Sequence, residues 1–347
     1  MAEAKIAFLY SEIAGYFLAG VRELSKKNEV LVVRWPINKE APFEFPDSEN
    51  FTQIDKSTLS IDELNKAVHD FKPDVLVCSG WMDKDYLKVA KSFKKQISVV
   101  LTLDNHWTGG MKQRVLTTVS PLYLKRIFTH AWVPGEVQAT YARKLGFREK
   151  VSKNFYCADV DLFQKLFQET FPAKKINLPK RFLYVARYVE HKGIFEMWDA
   201  FIELQKENPN EWELWCLGTG DEWENKREHE KIRHFGFVQP EEMRQYIEGT
   251  SVYILPSKFE PWGVSVQEFA ISGYPMIVSN AVGSREKYVN GNGFVFDAGN
   301  KEALKEQMRK FMEMSDKDLG EMGEKSHEVG MSFTNQMWAD TVRSFKD

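Results

Sequence analysis

Residues 252–278 read Val252-Tyr253-Ile254-Leu255-Pro256-Ser257-Lys258-Phe259-Glu260-Pro261-Trp262-Gly263-Val264-Ser265-Val266-Gln267-Glu268-Phe269-Ala270-Ile271-Ser272-Gly273-Tyr274-Pro275-Met276-Ile277-Val278. The stretch opens with an apolar, β-rich run and closes with another at Pro275–Val278. Between them lie a loop and a short helical segment that Gly273 ends. Strand, loop, helix and strand in this order predict part of a parallel α/β sheet. Glu260 then stands at the carboxyl end of a strand, where open α/β sheets bind ligands. Glu268 falls about a turn and a half into the helix. The helix amino terminus near Gly263 offers free N–H groups to an anion.

The same alternation extends outward in both directions. Towards the amino side, strands are expected at Phe182–Ala186, Glu213–Leu217 and Ile232–Phe235. Towards the carboxyl side, one is expected at Gly293–Phe296. The first half repeats the pattern, with strands at Ile6–Tyr10, Glu29–Val33, Val75–Cys78 and Ile97–Leu101. A loop containing Gly15 follows the first of these, and a helix runs through about Ser25. A helical pattern spans Ile61–Phe71. The chain closes with a helical pattern near 334–345 that places Met337, Val342 and Phe345 on or near one face. Around 168–181 the alternation breaks at Pro172, Lys174-Lys175 and Pro179, which read as a linker. The fold class expected is α/β, as two domains with covered parallel sheets facing across a cleft. Their expected boundaries are 1–168 and 176–330.

A chain of 347 residues with 43% hydrophobic and 28% charged residues fits two soluble globular domains. No apolar run approaches the length of a membrane-spanning helix, and the amino terminus has no basic start followed by an apolar core. Cys78, Cys157 and Cys216 are scattered and odd in number, so a disulfide framework is not expected and a reducing cytoplasm fits. The net charge of −3 conceals an asymmetry. Residues 1–165 hold 24 Lys and Arg against 20 Asp and Glu, whereas 166–347 hold 23 against 30. Within Lys84–Arg126 nine basic residues face two acidic ones. Lys84, Lys88, Lys91 and Lys95 recur at helical spacing. They form either a solvated helix face or a patch for an anionic membrane surface or a phosphate-bearing substrate. Nucleic acid is not expected, because the whole chain is acidic and carries no recognition motif.

Three smaller motifs bear on chemistry. Gly218-Thr219-Gly220 follows a strand, but Trp223 stands where a dinucleotide fingerprint needs its third glycine. A tight strand-to-helix turn is the better reading. Asp159 and Asp161 suggest a carboxylate pair for a divalent cation, yet no third ligand accompanies them. Arg187 follows a strand, and Lys192-Gly193 opens a helix five residues on. Cations at a helix amino terminus are unfavourable unless an anion binds there, so these two read as a phosphate clamp.

Taken together, Arg187, Lys192, Glu260, Gly263 and Glu268 resemble the family four retaining glycosyltransferases. Their hallmark is two glutamates separated by seven residues, present here in full context from Pro256 to Pro275. Leu217-Gly218-Thr219-Gly220, Phe235-Gly236-Phe237-Val238 and Asn292-Gly293-Phe294-Val295 occur in the family's order. The resemblance is dense over 180–300 and loose over 1–165.

It implies the GT-B architecture of two Rossmann-like domains. Residues 1–168 would form the acceptor domain and 176–330 the donor domain, with a closing helix at about 331–347 packing back on the first. Arg187 and Lys192 would neutralise the diphosphate of a nucleotide-sugar donor, so no metal cofactor is implied. Glu268 would accept hydrogen bonds from the ribose, and Glu260 would hold the sugar. Pro261, Trp262, Gly263 and Val264 would line the donor site, with backbone N–H groups of the last two facing sugar or phosphate. Val238 would lie near the base, and Gly15 would let backbone approach the diphosphate. The implied reaction moves a hexose, with retention, from a UDP- or GDP-linked donor to a hydroxyl of a glycan or lipid-linked acceptor. The setting would be surface-polysaccharide assembly, in the cytoplasm or peripherally on the inner face of the membrane. The first domain departs from the family's pattern. Asp104 stands in the usual histidine position and His106 two residues later, so either would serve the acceptor side. A noncatalytic sugar-nucleotide-binding protein, or an epimerase or phosphorylase of the same architecture, is the alternative.

Overall fold

The computed structural model describes residues 3–37 and 51–346. They divide into two compact units, Met1–Cys157 with Thr334–Asp347, and Ala158–Phe333. The first unit holds β1 (Lys5–Tyr10), β2 (Glu29–Arg34), β3 (Thr52–Asp55), β4 (Val75–Ser79), β5 (Ser98–Thr102), β6 (His130–Trp132) and β7 (Val151–Ser152). They form one sheet in the order β3-β2-β1-β4-β5-β6-β7, every pair parallel. Ile6 sits between Val30 of β2 and Val75 of β4. Ile6 to Leu9 are wholly buried, as expected for a strand covered on both faces. Strand order reverses between β1 and β4, so the loops beyond their carboxyl ends diverge and leave an opening.

The second unit contains β8 (Arg181–Val185), β9 (Glu213–Leu217), β10 (Ile232–His234), β11 (Val252–Leu255), β12 (Met276–Ser279) and β13 (Gly293–Phe296). Their order is β10-β9-β8-β11-β12-β13, again all parallel. Here the reversal lies between β8 and β11. The expected α/β class with two parallel-sheet domains is the class observed.

Two expectations are corrected. The stretch read as a linker is largely the helix Val160–Ile176, and the units divide at Cys157/Ala158 instead. Asp159 caps that helix by accepting from the Leu162 N–H at 3.1 Å. Phe163, Leu166, Thr170 and Lys174 are buried at helical spacing, so packing overrides the Pro172 signal. Lys174 is interior: its Nζ lies 3.9 Å from the centre of the Tyr274 ring, and burial pushes its pKa down to about 7. Asp159 is thus a helix cap, and among the described residues no three His, Cys, Asp or Glu gather as metal ligands.

The second correction concerns which residues of the closing helix, Asn335–Arg343 of the first unit, face the interior. Val342 and Phe345 are buried as the spacing predicts, but Met337 is 46% exposed and Trp338 takes the interior position. The Trp338 ring lies so close to Gly20 that a Cβ there would stand 2.8 Å from it. Its indole N–H donates to the Phe155 carbonyl at 2.8 Å.

Candidate functional site

In the second unit, two loops from opposite sides of the β8/β11 reversal are locked together. The loop after β8 passes through a short 3-10 turn, Glu190–Lys192, and then Gly193. Gly193 has φ +70°, and a Cβ on it would stand 2.2 Å from the Pro256 carbonyl oxygen beyond β11. Only glycine permits both the left-handed backbone and that approach. The His191 carbonyl accepts from the Lys258 N–H at 2.7 Å and the Phe259 N–H at 3.3 Å. This closeness brings Lys192 and Glu260, far apart in sequence, into a direct ion pair between Nζ and Oε2. Both side chains are largely buried, at 14% and 13% exposure.

Cations crowd this point. Burial, followed by the charges of Lys192 and Arg187, holds the His191 imidazole below its usual pKa. Arg187 is exposed, and the Tyr184 hydroxyl fixes its backbone by donating to the Arg187 carbonyl at 3.0 Å. The Gly218–Gly220 turn supports the same loop. A Cβ at Gly218 would stand 2.0 Å from the Ala186 carbonyl oxygen, and one at Gly220 2.6 Å from that of Tyr188. The turn is therefore a brace for the Arg187 segment. Gly218 in turn donates to the Gly236 carbonyl at 2.6 Å, which ties in the loop holding the half-buried Val238.

Glu260 is set by a third segment that sequence reading missed. It bridges to Val282 in a parallel contact, and its carbonyl accepts from the Gly283 N–H at 3.1 Å. The Ser284 hydroxyl donates to the Gly263 carbonyl at 2.9 Å, and the Ser284 N–H to that of Trp262 at 2.9 Å. Pro261 is held by close approach, since a Cβ at Gly283 would stand 2.1 Å from its carbonyl oxygen. The run Val282-Gly283-Ser284 was the available signal. The Trp262 ring is 5% exposed and turned toward Tyr288, so only its backbone remains near the loop. Gly263, at φ 85° and ψ 75°, caps the helix Val264–Ile271, and no side chain caps the first turn. Its N–H groups suit an anion or a sugar hydroxyl oxygen.

Glu268 is the fifth residue of that helix. It is half-buried, yet its carboxyl group is ringed by protein. Desolvation, with the nearby charge of Asp159 second, pushes its pKa up to about 7.

The first unit has its own opening, a cavity of about 510 Å³ beyond the ends of β1, β4 and β5. Its walls include Tyr10, Ser11, Glu12, Tyr16, Ser79 and Asp104. The Ser11 and Ser79 hydroxyls meet at 2.8 Å across the strand reversal. The Tyr156 hydroxyl donates to Asp104 Oδ2 at 3.1 Å. Burial raises the Tyr10 and Tyr156 hydroxyls well above their usual pKa, with Tyr16 and Asp104 contributing, so both remain donors. Asp104 thus faces the cavity, whereas His106 is absent from its lining. The His106 carbonyl instead accepts from Gln113 Nε2 at 2.8 Å. Gly15 is not in a loop: it is the first residue of the helix Gly15–Ser25, with Glu12 to Ala14 against the cavity.

Comparison with known proteins agrees with this fold. Residues 167–329 match the family model described as glycosyl transferases group 1. Glycogen synthase of Mycobacterium tuberculosis is 29% identical over 119 residues, covering 33% of this chain and 29% of that enzyme. The match thus spans less than a third of that relative. Sucrose-phosphate synthase from Thermosynechococcus elongatus superposes with a TM-score of 0.72 at 15% identity, covering 98% of this chain and 97% of that one. HepE from Anabaena, in complex with UDP and glucose, gives 0.71 at 14% identity over 99% of each chain. Residues 167–329 therefore resemble the group 1 glycosyl transferases, within a two-domain GT-B fold.

Proposed function

We propose that this protein transfers a hexose from a nucleotide-diphosphate sugar to a hydroxyl of a glycan or lipid-linked acceptor, with retention at the anomeric carbon. The single observation that carries the reading is the Lys192–Glu260 pair, set among Arg187 and His191 at the strand reversal of the second unit. An ammonium has three donors, so Lys192 can hold Glu260 and a phosphate oxygen together. The diphosphate gains charge as the glycosidic bond breaks, and fixed cations stabilise that charge most in the transition state. Arg187 and Lys192 supply the cations, and the reaction is proposed to need no metal. Glu260, oriented by Lys192, holds the sugar hydroxyls and balances positive charge at the anomeric carbon. Glu268 accepts from the ribose. Asp104, in the first unit, is assigned to orient the acceptor hydroxyl or take its proton.

The relatives bear on the substrates. HepE was solved with UDP and glucose, which favours a UDP-type donor. Surface-polysaccharide assembly on the cytoplasmic face of a membrane is the proposed setting. No described helix is long and apolar enough to cross a membrane, and Lys84, Lys88, Lys91 and Lys95 form an exposed basic face on and just after the helix Lys84–Phe93.

Thermal melting with UDP, GDP and ADP tests the donor site. A ligand at a hundred times its Kd adds about 2.7 kcal/mol, and Lys192→Ala removes the shift. If none of the three moves the melting point of folded protein, the donor assignment is wrong. Turnover with the nucleotide-sugar that binds, read by the anomeric configuration of the product, separates a retaining transferase from a noncatalytic binder or an epimerase.

A further inference from the structure

A second cavity of the first unit, about 480 Å³, opens at the carboxyl end of the helix Met111–Leu124, away from the residues assigned above to transfer. Lys94, Lys125, Arg148 and Lys150 line it, with Glu149 the sole acid. Among the described residues, none of the four cations is ion-paired. Lys94 is half-buried and donates to the Phe128 carbonyl at 2.6 Å. Burial and the charge of Lys150 hold its pKa below the ordinary lysine value. His130 is lowered by burial and by the same two lysines. Like charges gathered in a partly desolvated hollow are unfavourable without a counter-ion.

The cavity and the helix form one surface. Gly146 has φ +102°, and a Cβ there would stand 3.0 Å from both Pro121 and Lys125. The turn bearing Arg148 is thereby pressed onto the end of the helix. Met111, Val115, Val119 and Leu122 fall on one helical face, flanked by Leu116 and Tyr123. All six are exposed, Met111 at 82% and Leu122 at 69%, and only Ser120 and Leu124 of the helix are buried. Single exposed apolar residues need no explanation, but a contiguous band does. Lys112, Arg114, Lys125 and Arg126 lie on or beside this helix.

We propose that this surface docks on an anionic phospholipid bilayer, the cavity taking a phosphate-bearing headgroup while the apolar helix face enters the headgroup–chain boundary. Unpaired cations beside an apolar band match the two phases of such a surface. A nucleic acid would offer phosphates but nothing for the apolar band. The inference rests on the membrane part of the function proposed above and not on the transfer reaction.

Cosedimentation of the full chain with vesicles tests it, using phosphatidylcholine alone and phosphatidylcholine mixed with phosphatidylglycerol. Binding is expected only to the anionic vesicles and is weakened by salt. Each cation near such a surface contributes roughly fivefold, so Arg148→Gln with Lys150→Gln lowers the partition coefficient about 25-fold. Val119→Asp with Leu122→Asp, both exposed, abolishes binding while leaving the melting point unchanged. Absence of wild-type binding to anionic vesicles overturns the docking surface and the membrane setting together. Wild-type binding that the Arg148/Lys150 variant retains in full overturns the headgroup pocket alone. A melting shift with inorganic phosphate, without vesicle binding, assigns the cavity to a soluble phosphate and overturns the proposal.

Discussion

In the first unit strand order reverses between β1 and β4, and in the second between β8 and β11. Both reversals open a site beyond the strand ends, yet the sites differ in charge and in how they are held. The first is walled by hydroxyls and carboxylates, including Ser11, Tyr156, Glu12 and Asp104. The second gathers Arg187, His191 and Lys192 around Glu260. In the second, Gly193 and Gly218 approach carbonyl oxygens so closely that no Cβ would fit. In the first, Gly80 also has positive φ, but nothing lies within 4 Å of where its Cβ would be. Topology thus decides where each site opens, and the loops decide its chemistry and its rigidity. A rigid cationic site suits a diphosphate whose charge grows during reaction. A site lined by neutral donors and carboxylates suits a hydroxyl that must be oriented and deprotonated.

The sharpest way to break this comparison is to separate the two halves of the Lys192–Glu260 pair. Removing either partner is expected to lower kcat by about 10²–10³, the usual effect of deleting a charge-stabilising group. Binding should respond asymmetrically. Lys192→Ala leaves a carboxylate facing the diphosphate, so UDP affinity falls steeply. Glu260→Ala leaves an unpaired cation there, so UDP affinity stays level or rises. Equal losses of UDP affinity, measured by calorimetry, would show that Glu260 holds the nucleotide directly and that its sugar role is wrong.

A smaller effect is expected in the first unit. Asp104→Asn should lower kcat/KM for the acceptor by about 10²-fold if it takes the proton, within the range typical of general base catalysis. Tyr156→Phe removes one hydrogen bond to that carboxylate, worth about 1.5–3 kcal/mol for a charged acceptor, and should cost no more than about 10²-fold. Neither variant should change the UDP melting shift. If Asp104→Asn weakens UDP as much as it weakens turnover, the division of labour between the two openings fails.

The two openings were also unequally legible in the sequence. The donor half could be read because its glutamates, glycines and strands follow one another within about 120 residues, and β9, β11 and β13 appear with the bounds their apolar runs predict. His191 and Ser284 escaped notice because their roles depend on contacts between distant loops, which no local pattern encodes. The strands β3, β6 and β7 were missed because Thr52–Asp55, His130–Trp132 and Val151–Ser152 hold at most two apolar residues each, too few for an apolar run. Pro172 and the adjacent lysines gave a linker signal that burial of Phe163, Leu166 and Lys174 overrode. Asp104 was visible only as a departure from a family pattern. Its partner Tyr156 lies 52 residues away, so the pairing had no signature at all.

The mildest prediction concerns Glu268. Its folded pKa is raised to about 7 from an ordinary value of 4.5, with desolvation the main cause and Asp159 second. Between these values the folded chain binds a proton that the unfolded chain has lost. Stability contributed by this group is therefore fully present below about 4.5, declines as pH rises, and is gone above about 7. Glu268→Gln should raise the melting point at pH 8 by an amount reflecting about 1–3 kcal/mol, and leave it unchanged near pH 4. Ribose hydroxyls donate more strongly to the carboxylate than to the acid, so binding favours the ionised form. UDP affinity should rise by up to about tenfold from pH 6 to pH 8 in the wild type, and the rise should vanish in Glu268→Gln. A nucleotide affinity that is flat with pH in both proteins would remove Glu268 from the donor site and leave it a buried acid tolerated beside Asp159.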